Sequence, residues 1–519
     1  MTGSVTIENV ATAGAVTMSA NDRISIGGDL TANGTFSHSA ANLSITGSVT
    51  VGPNGSFTSN GAAAVIGGSL TSSGAVNLNT GSIRIEGSFS NSGTFNPTSG
   101  TVTLGRTTGT GAGTATMGTG RFFGLAVLSN YTYTVTDNLT IGDGVGAANL
   151  NVDGTLRLSG SITFAASSTF DATGGTIEYA GTVNQTVVVP PGGAYRNLTI
   201  ANGGAAVATA AGSFATCGFQ IATGGVYSAG ATTMTVGCDF TNDGSFGAGT
   251  GRVDFVGNPS TLRGSSLTTF YNASVDFANA VGAAQLAVDP VTAAFQVANV
   301  WTSNEASGFA SAAVSTVTFT GASSSVAGSQ TTEFHHLAIG VGASVAISST
   351  GTTLRLRGTL TNSGNGLVAG GHTVEFTGTD GQVSSNAIEF NILRVPGTLT
   401  LTAGDDVRVT NGATGLAVPA GGSLTMTGAA TLRLGSGGTA GRMLVNGSFS
   451  AAASGGTPTI TDQGARFDFD AGGASCILDV DALVFNRCDA GGLTILATAA
   501  TTIDVDGVSF TNGVGGAGG

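Results

Sequence analysis

The residues best equipped for redox or metal chemistry are four cysteines, Cys217, Cys238, Cys476 and Cys488, and four histidines, His38, His335, His336 and His372. Cys217 and Cys238 stand 21 residues apart, as do the Phe219 and Phe240 that follow them. If about 21 residues make one turn of a repeating coil, the two cysteines lie on adjacent turns. Their Cα atoms would then sit about 4.8 Å apart, within the bridging range of roughly 4.4–6.8 Å. A disulfide fits that spacing, and so do two stacked free thiols acting as small apolar side chains. Cys476 and Cys488, 12 residues apart, flank one loop and form a second candidate pair. The even cysteine count favours both bridges in an exported chain.

Metal chemistry finds less support. His335 and His336 adjoin in an expected strand, where neighbouring side chains point to opposite faces, so they are not expected to chelate together. No Cys/His spacing suits zinc, and the expectation is no metal and no cofactor. The one cation left open is Ca²⁺. Three Asp-x-Asp pairs, Asp468/Asp470, Asp479/Asp481 and Asp504/Asp506, each place two carboxylates on one strand face. Stacked on successive turns they would offer the oxygens Ca²⁺ requires; the competing reading is a solvated outer face.

Catalytic groups are sparse. Polysaccharide chemistry needs paired carboxylates, or Arg with carboxylates, gathered on one face. Here the acids and arginines are spread along the chain, and Arg355 and Arg357 in "LRLRG" read as one outward pair on a solvated strand. The Gly-rich stretches Gly109–Gly113 and Gly142–Gly146 do not lead into a helix and lack a Walker lysine, so they read as turns. Thr-x-Thr text does not keep register from turn to turn and is not expected to form a flat ligand array. The chain is expected not to be an enzyme.

Elements must position these residues, and composition says which. The chain has 519 residues, 86 of them Gly, with 9% charged and 41% hydrophobic residues. It lacks the Glu, Lys and Leu content of helices, yet is apolar enough to bury a core. Abundant Val, Thr, Gly and Asn point to many short strands joined by turns. There is no lysine; all sixteen basic residues are Arg, and the net charge is −13. Such a chain makes a poor nucleic-acid binder, because phosphate neutralisation needs clustered cations, and no membrane insertion is expected because no apolar run approaches about 20 residues. An acidic surface rich in Ser, Thr and Asn suits an extracellular or cell-surface location. The opening "MTGSVTIENV" has neither the basic nor the apolar region of a signal peptide, and the expectation is a mature or excised segment.

An internal repeat organises the chain. The lines "RISIGGDLTANGTF", "LSITGSVTVGPNGSF", "AVIGGSLTSSGAV" and "IRIEGSFSNSGTF" align on Ile26, Ile45, Ile66 and Ile85, followed by Leu104, at spacings of 19, 21, 19 and 19. A Gly follows two residues after each of the first four anchors, at Gly28, Gly47, Gly68 and Gly87. In "SIRIEGSF" the residues Ile83, Ile85 and Phe89 face a core while Arg84, Glu86 and Ser88 face water. Turns of equal length stack equivalent residues into ladders that no single repeat could bury. Downstream, strands such as "GTVTL", "GTIEY" and "HTVEF" are followed about one turn later by aromatic landing positions, Phe123, Tyr195, Tyr271, Phe334, Phe390 and Phe485.

The expected fold is all-β: a single elongated right-handed parallel β-helix, or β-solenoid, of roughly 20–25 coils of about 19–22 residues. Residues 1–105 read as regular short coils, 106–460 as continuing solenoid with corner insertions around 106–120, 181–194 and 256–268, and 461–519 as Asp-richer C-terminal coils. These motifs resemble the right-handed parallel β-helix arrays of bacterial surface proteins, among them filamentous-haemagglutinin-like adhesins, autotransporter passengers and large secreted repeat proteins. The expected function is structural: a self-associating subunit of a fibre, sheath or surface layer whose partners are copies of itself. The repeats begin at once and stop without a cap, which suggests open strand edges that add a further subunit. The alternative is an adhesin or passenger stalk that binds cell-surface or matrix glycans, and the third reading is a polysaccharide-active enzyme.

Overall fold

The structure is a computed structural model. It describes every residue except 1–4, 8–14, 19–23, 40–41, 62, 172, 258–259, 277–285, 290–293, 305–308, 311–314, 349–352, 413–414, 437–440, 463–466, 472–475, 488–492, 496–501 and 513–519. Among the described residues there is no helix, and the strands stack in parallel sheets as a β-solenoid of about 20 turns. The chain divides into two compact units, Met1–Gly249 and Thr250–Gly519.

The first unit opens with coils of three strands. Leu43–Ile45, Val49–Val51 and Ser56–Ser59 form one turn, and Ala64–Ile66, Leu70–Ser72 and Ala75–Leu78 lie on it strand for strand. Each wall has its own ladder. Ile26, Ile45, Ile66, Ile85 and Leu104 partner one another in register, each at most 2% exposed. Leu30, Val49, Leu70 and Phe89 form the second ladder, and Phe36, Phe57, Val76 and Phe95 the third. The Phe36 and Phe57 rings stack with centroids 5.6 Å apart.

The repeated "Gly-Ser" text makes a corner. At Gly47, Gly68 and Gly87 the chain passes so close to the turn before it that a Cβ on Gly68 would lie 2.9 Å from the carbonyl carbon of Gly47. Glycine is needed here for close approach. The next residue closes the corner: the Ser69 amide donates to Ser48 Oγ at 3.1 Å, Ser88 to Ser69 Oγ at 3.0 Å, and Thr114 to Ser88 Oγ at 3.1 Å. Asp29 starts this run by accepting the Ser48 amide at 2.8 Å.

The second unit also builds turns from three walls. Thr353–Leu356, Thr373–Phe376 and Ile392–Arg394 stack on one wall; Ile388–Phe390, Asp406–Val409 and Thr431–Leu434 on another; Thr398–Leu401, Ser423–Thr427 and Ser448–Ala452 on the third. Some of its turns keep to the expected 19–22 residues, as in the step of 20 from Arg355 to Glu375, and others exceed it. Leu399 pairs with Leu424, a step of 25, and Phe449 with Leu478, a step of 29. The added residues go into corners, where loop length costs little, while the walls keep their register. Longer turns also explain a turn count at the low end of the expected range.

Candidate functional site

The cysteines at 217 and 238 occupy equivalent positions on adjacent turns. Phe219 pairs with Phe240, the Cys238 amide donates to the Cys217 carbonyl at 2.7 Å, and the two residues form a disulfide with Cα atoms 4.6 Å apart. Both are half-buried. Cys476 is free and buried, and burial pushes its thiol pKa up. Cys488 lies outside the described residues.

The aromatic landings divide. Tyr195, Phe334, Phe390 and Phe485 are buried. Phe123 and Tyr271 are half-exposed, and the residues one position earlier, Phe122 and Phe270, fill the core instead. Phe122 packs edge-on against Phe95 with centroids 5.5 Å apart. At Phe270 the register with the neighbouring strand shifts before Asn272, which turns Tyr271 outward.

The segments expected to hold corner insertions each carry a short stacked strand, Ser260–Arg263 with Leu286–Val288 among them. Gly111–Thr116 pairs along its length with Tyr131–Val135, and Gln185–Val187 pairs with Ala208–Ala210. The glycines of 109–113 seat rings: a Cβ on Gly111 would lie 2.5 Å from Tyr131 Cε1, and one on Gly113 3.0 Å from Tyr133 Cζ. Tyr133 is then buried and its hydroxyl donates to the Gly87 carbonyl at 2.8 Å. The 142–146 stretch is a turn closed by Asp143 Oδ1, which accepts the amides of Val145 and Gly146 at 2.9 and 3.1 Å. Those two bonds hold the exposed Asp143 carboxyl below its usual pKa.

The acid pairs split between walls. Asp479 pairs with Asp504 in register, both exposed, whereas Asp468 belongs to the strand Phe467–Ala471, whose partner at that position is Arg442. The three pairs therefore do not form one stack.

The densest gathering of chemistry lies on an outer wall of the second unit. Glu333, Arg355, Glu375 and Arg394 are register partners on four successive turns. Arg355 Nε donates to Glu375 Oε2 at 2.9 Å and Arg394 Nη1 to Oε1 at 3.3 Å, so this nearly buried carboxylate is clamped from both sides. Arg357 reaches back to Glu333 at 2.6 Å. Arg355 and Arg357 face outward, with side chains 43% and 54% exposed, and Arg355 also belongs to a charge ladder of alternating sign. A cleft of about 410 Å³ opens here between Glu333, His335, Arg357 and Asp380.

His335 lines this cleft, and the His336 ring lies against it with centroids 4.4 Å apart. The strand-alternation argument fails because the strand breaks: Thr332–Phe334 ends, His335 forms a bend, and His336–Ile339 begins on the next wall. At a corner, adjacent side chains need not diverge. Asp380, on the turn after Thr373–Phe376, brings a carboxylate so that one ligand atom from each of His335, His336 and Asp380 lies within 4.8 Å of the others. His335 is 8% exposed and its Nε2 has no hydrogen-bond partner, standing 3.7 Å from Asp380 Oδ2. His336 Nδ1 accepts the Thr359 amide at 2.9 Å. Its ring occupies space left by Gly358, where a Cβ would come within 2.6 Å of it. Burial, and then the His335 ring, hold the His336 imidazole below its ordinary pKa against an upward pull from Asp380. The remaining histidines lie apart: His38 is buried beside Phe36 and Phe57, and His372 is half-buried.

No protein-family model matches the chain, and neither curated proteins nor solved structures gave a match.

Proposed function

We propose that this chain is a non-enzymatic structural protein of the cell exterior, a self-associating subunit of a fibre, sheath or surface layer. One observation carries the reading. Position after position, the apolar residues are committed to ladders that bury each turn on the next, as in the run from Ile26 to Leu104. Sequence spent in this way makes a stack whose stability is a sum of neighbour terms. The Cys217–Cys238 disulfide supports an oxidising compartment.

Self-association draws support from the strands Thr502–Val505 and Val508–Thr511. There the ladder residues Ile503, Val505 and Phe510 are 41%, 38% and 51% exposed. Apolar side chains exposed together on neighbouring strands suit contact with a second copy of the chain. Sedimentation velocity and negative-stain microscopy over a range of concentrations test this. Growing particles, suppressed by Phe510→Arg, are expected; a chain monomeric throughout rules the self-association out.

A second reading, an adhesin or passenger stalk of the β-helix surface-protein kind, is favoured by one feature. A cleft of about 490 Å³ in the second unit is lined by Glu389, Asp406, Arg408 and Arg433 beside Leu367 and Val368. Carboxylates and guanidinium groups around a small apolar floor suit the hydroxyls and ring faces of a glycan. Glycan-array binding lost on Arg408→Ala would establish this reading over the first.

A further inference from the structure

We propose that His335, His336 and Asp380 form a binding site for a divalent transition-metal ion of the zinc class, which clasps three successive turns of the stack. Two imidazoles and one carboxylate are the donor set such ions prefer. The residues come from separate places in the fold. His335 and His336 bracket a corner, and Asp380 lies two turns further on, beyond the turn that carries Arg357 and Gly358. Gly358 opens the passage between them, since a side chain there would collide with the His336 ring.

An independent observation points to a ligand. His335 is more than nine-tenths buried, yet its Nε2 makes no hydrogen bond and faces the Asp380 carboxylate from 3.7 Å. A buried polar atom without a partner is costly to desolvate, and a metal ion supplies the missing partner. Ligand atoms around zinc, at about 2.0–2.2 Å from the ion, lie closer together than the 4.8 Å found here, so the site must contract on binding. Asp380 is the member able to move: its side chain is 58% exposed on a surface turn.

The guanidinium groups beside the cleft have carboxylate partners of their own. Arg357 pairs with Glu333 at 2.6 Å, and Arg355 shares Glu375 with Arg394 at 2.9 and 3.3 Å, while the Asp380 carboxylate faces the two imidazoles. Ligation by either nitrogen of His336 exchanges the Thr359 amide bond for a coordinate bond. Because the ligands span three turns, an ion that binds only the folded stack stabilises these turns by mass action.

The test uses Co²⁺ as the probe on the whole chain after treatment with a chelator, followed by displacement with Zn²⁺. One Co²⁺ per chain is expected, with d–d absorption that Zn²⁺ removes and a raised thermal midpoint that chelator reverses. Asp380→Asn, at an exposed position that leaves the fold intact, should weaken binding about tenfold or more, and His336→Asn should do the same. His372→Ala, outside the cluster, should leave binding unchanged. Absence of Co²⁺ uptake, or uptake indifferent to Asp380→Asn and His336→Asn, overturns the site and leaves His335 and Asp380 as an ion pair only.

Discussion

Removing the Cys217–Cys238 bridge should loosen one stretch of the stack and leave the rest in place. The bridge closes a loop with a sequence separation of 21, for which unfolded-state entropy gives about 3 kcal/mol of stabilisation. Coils interact with their neighbours only, so the loss should fall on the strands Phe214–Ile221, Thr233–Val236 and Asp239–Asn242 and not on Ser82–Ile85. At about 1.4 kcal/mol per decade, local opening becomes roughly 100-fold more frequent. Hydrogen exchange with mass readout, comparing oxidised protein, reduced protein and Cys217→Ser/Cys238→Ser, measures this peptide by peptide. Reduced protein and the double variant both lack the bond, so they should agree. Protection around 214–242 that is the same in all three states would refute the reasoning, since the turns would then hold that stretch without the bond. Equal loosening at 82–85 would refute the nearest-neighbour picture instead.

Three further perturbations address the ladders and the charges. Ile66→Ala empties a fully buried rung between Ile45 and Ile85 and should cost about 2–5 kcal/mol, read as a drop in denaturation midpoint. Glu375→Gln removes the charge clamped by Arg355 and Arg394 and should cost about 1–3 kcal/mol; a midpoint unchanged in low salt would show that the ladder of alternating charge contributes nothing. Alkali should unfold the first unit. Burial, then neighbouring Tyr131, raises the Tyr133 hydroxyl pKa to about 12, and burial likewise raises Tyr179, Tyr195 and Tyr227. A tyrosine in the unfolded chain ionises near 10, so the folded state binds more protons above that pH. The stability these groups contribute is complete below about pH 10 and is lost as pH rises towards 12. Tyrosinate absorbance and circular dichroism should therefore change together in that window; tyrosinate forming while the strand signal persists would contradict the burial.

Much of the architecture was legible because it depends on spacing. Equal intervals between Ile26, Ile45, Ile66, Ile85 and Leu104 put these residues on one wall, and the 21-residue interval between Cys217 and Cys238 placed them on adjacent turns. The corner run from Asp29 through Ser48, Ser69 and Ser88 was also present in the text, as a Ser or Asp after each corner glycine. What misled was local. Spacing alone does not say which of two adjacent aromatics turns inward: Phe122 and Phe270 fill the core, while Phe123 and Tyr271 beside them stay half-exposed. A glycine-rich stretch does not say what fills the space it leaves, and here the Tyr131 and Tyr133 rings fill it from the next turn.

The sequence by itself determined a stacked parallel solenoid, its apolar ladders and the sites where turns come close, because a period of identical residues has no other way to bury its apolar face. Tertiary structure alone decided which polar residues meet. A corner is where strand parity ends, and only its geometry turns the neighbours His335 and His336 toward each other. Only the stacking of later turns brings Asp380 to them, and sets Glu375 between Arg355 and Arg394, across separations that no local pattern encodes.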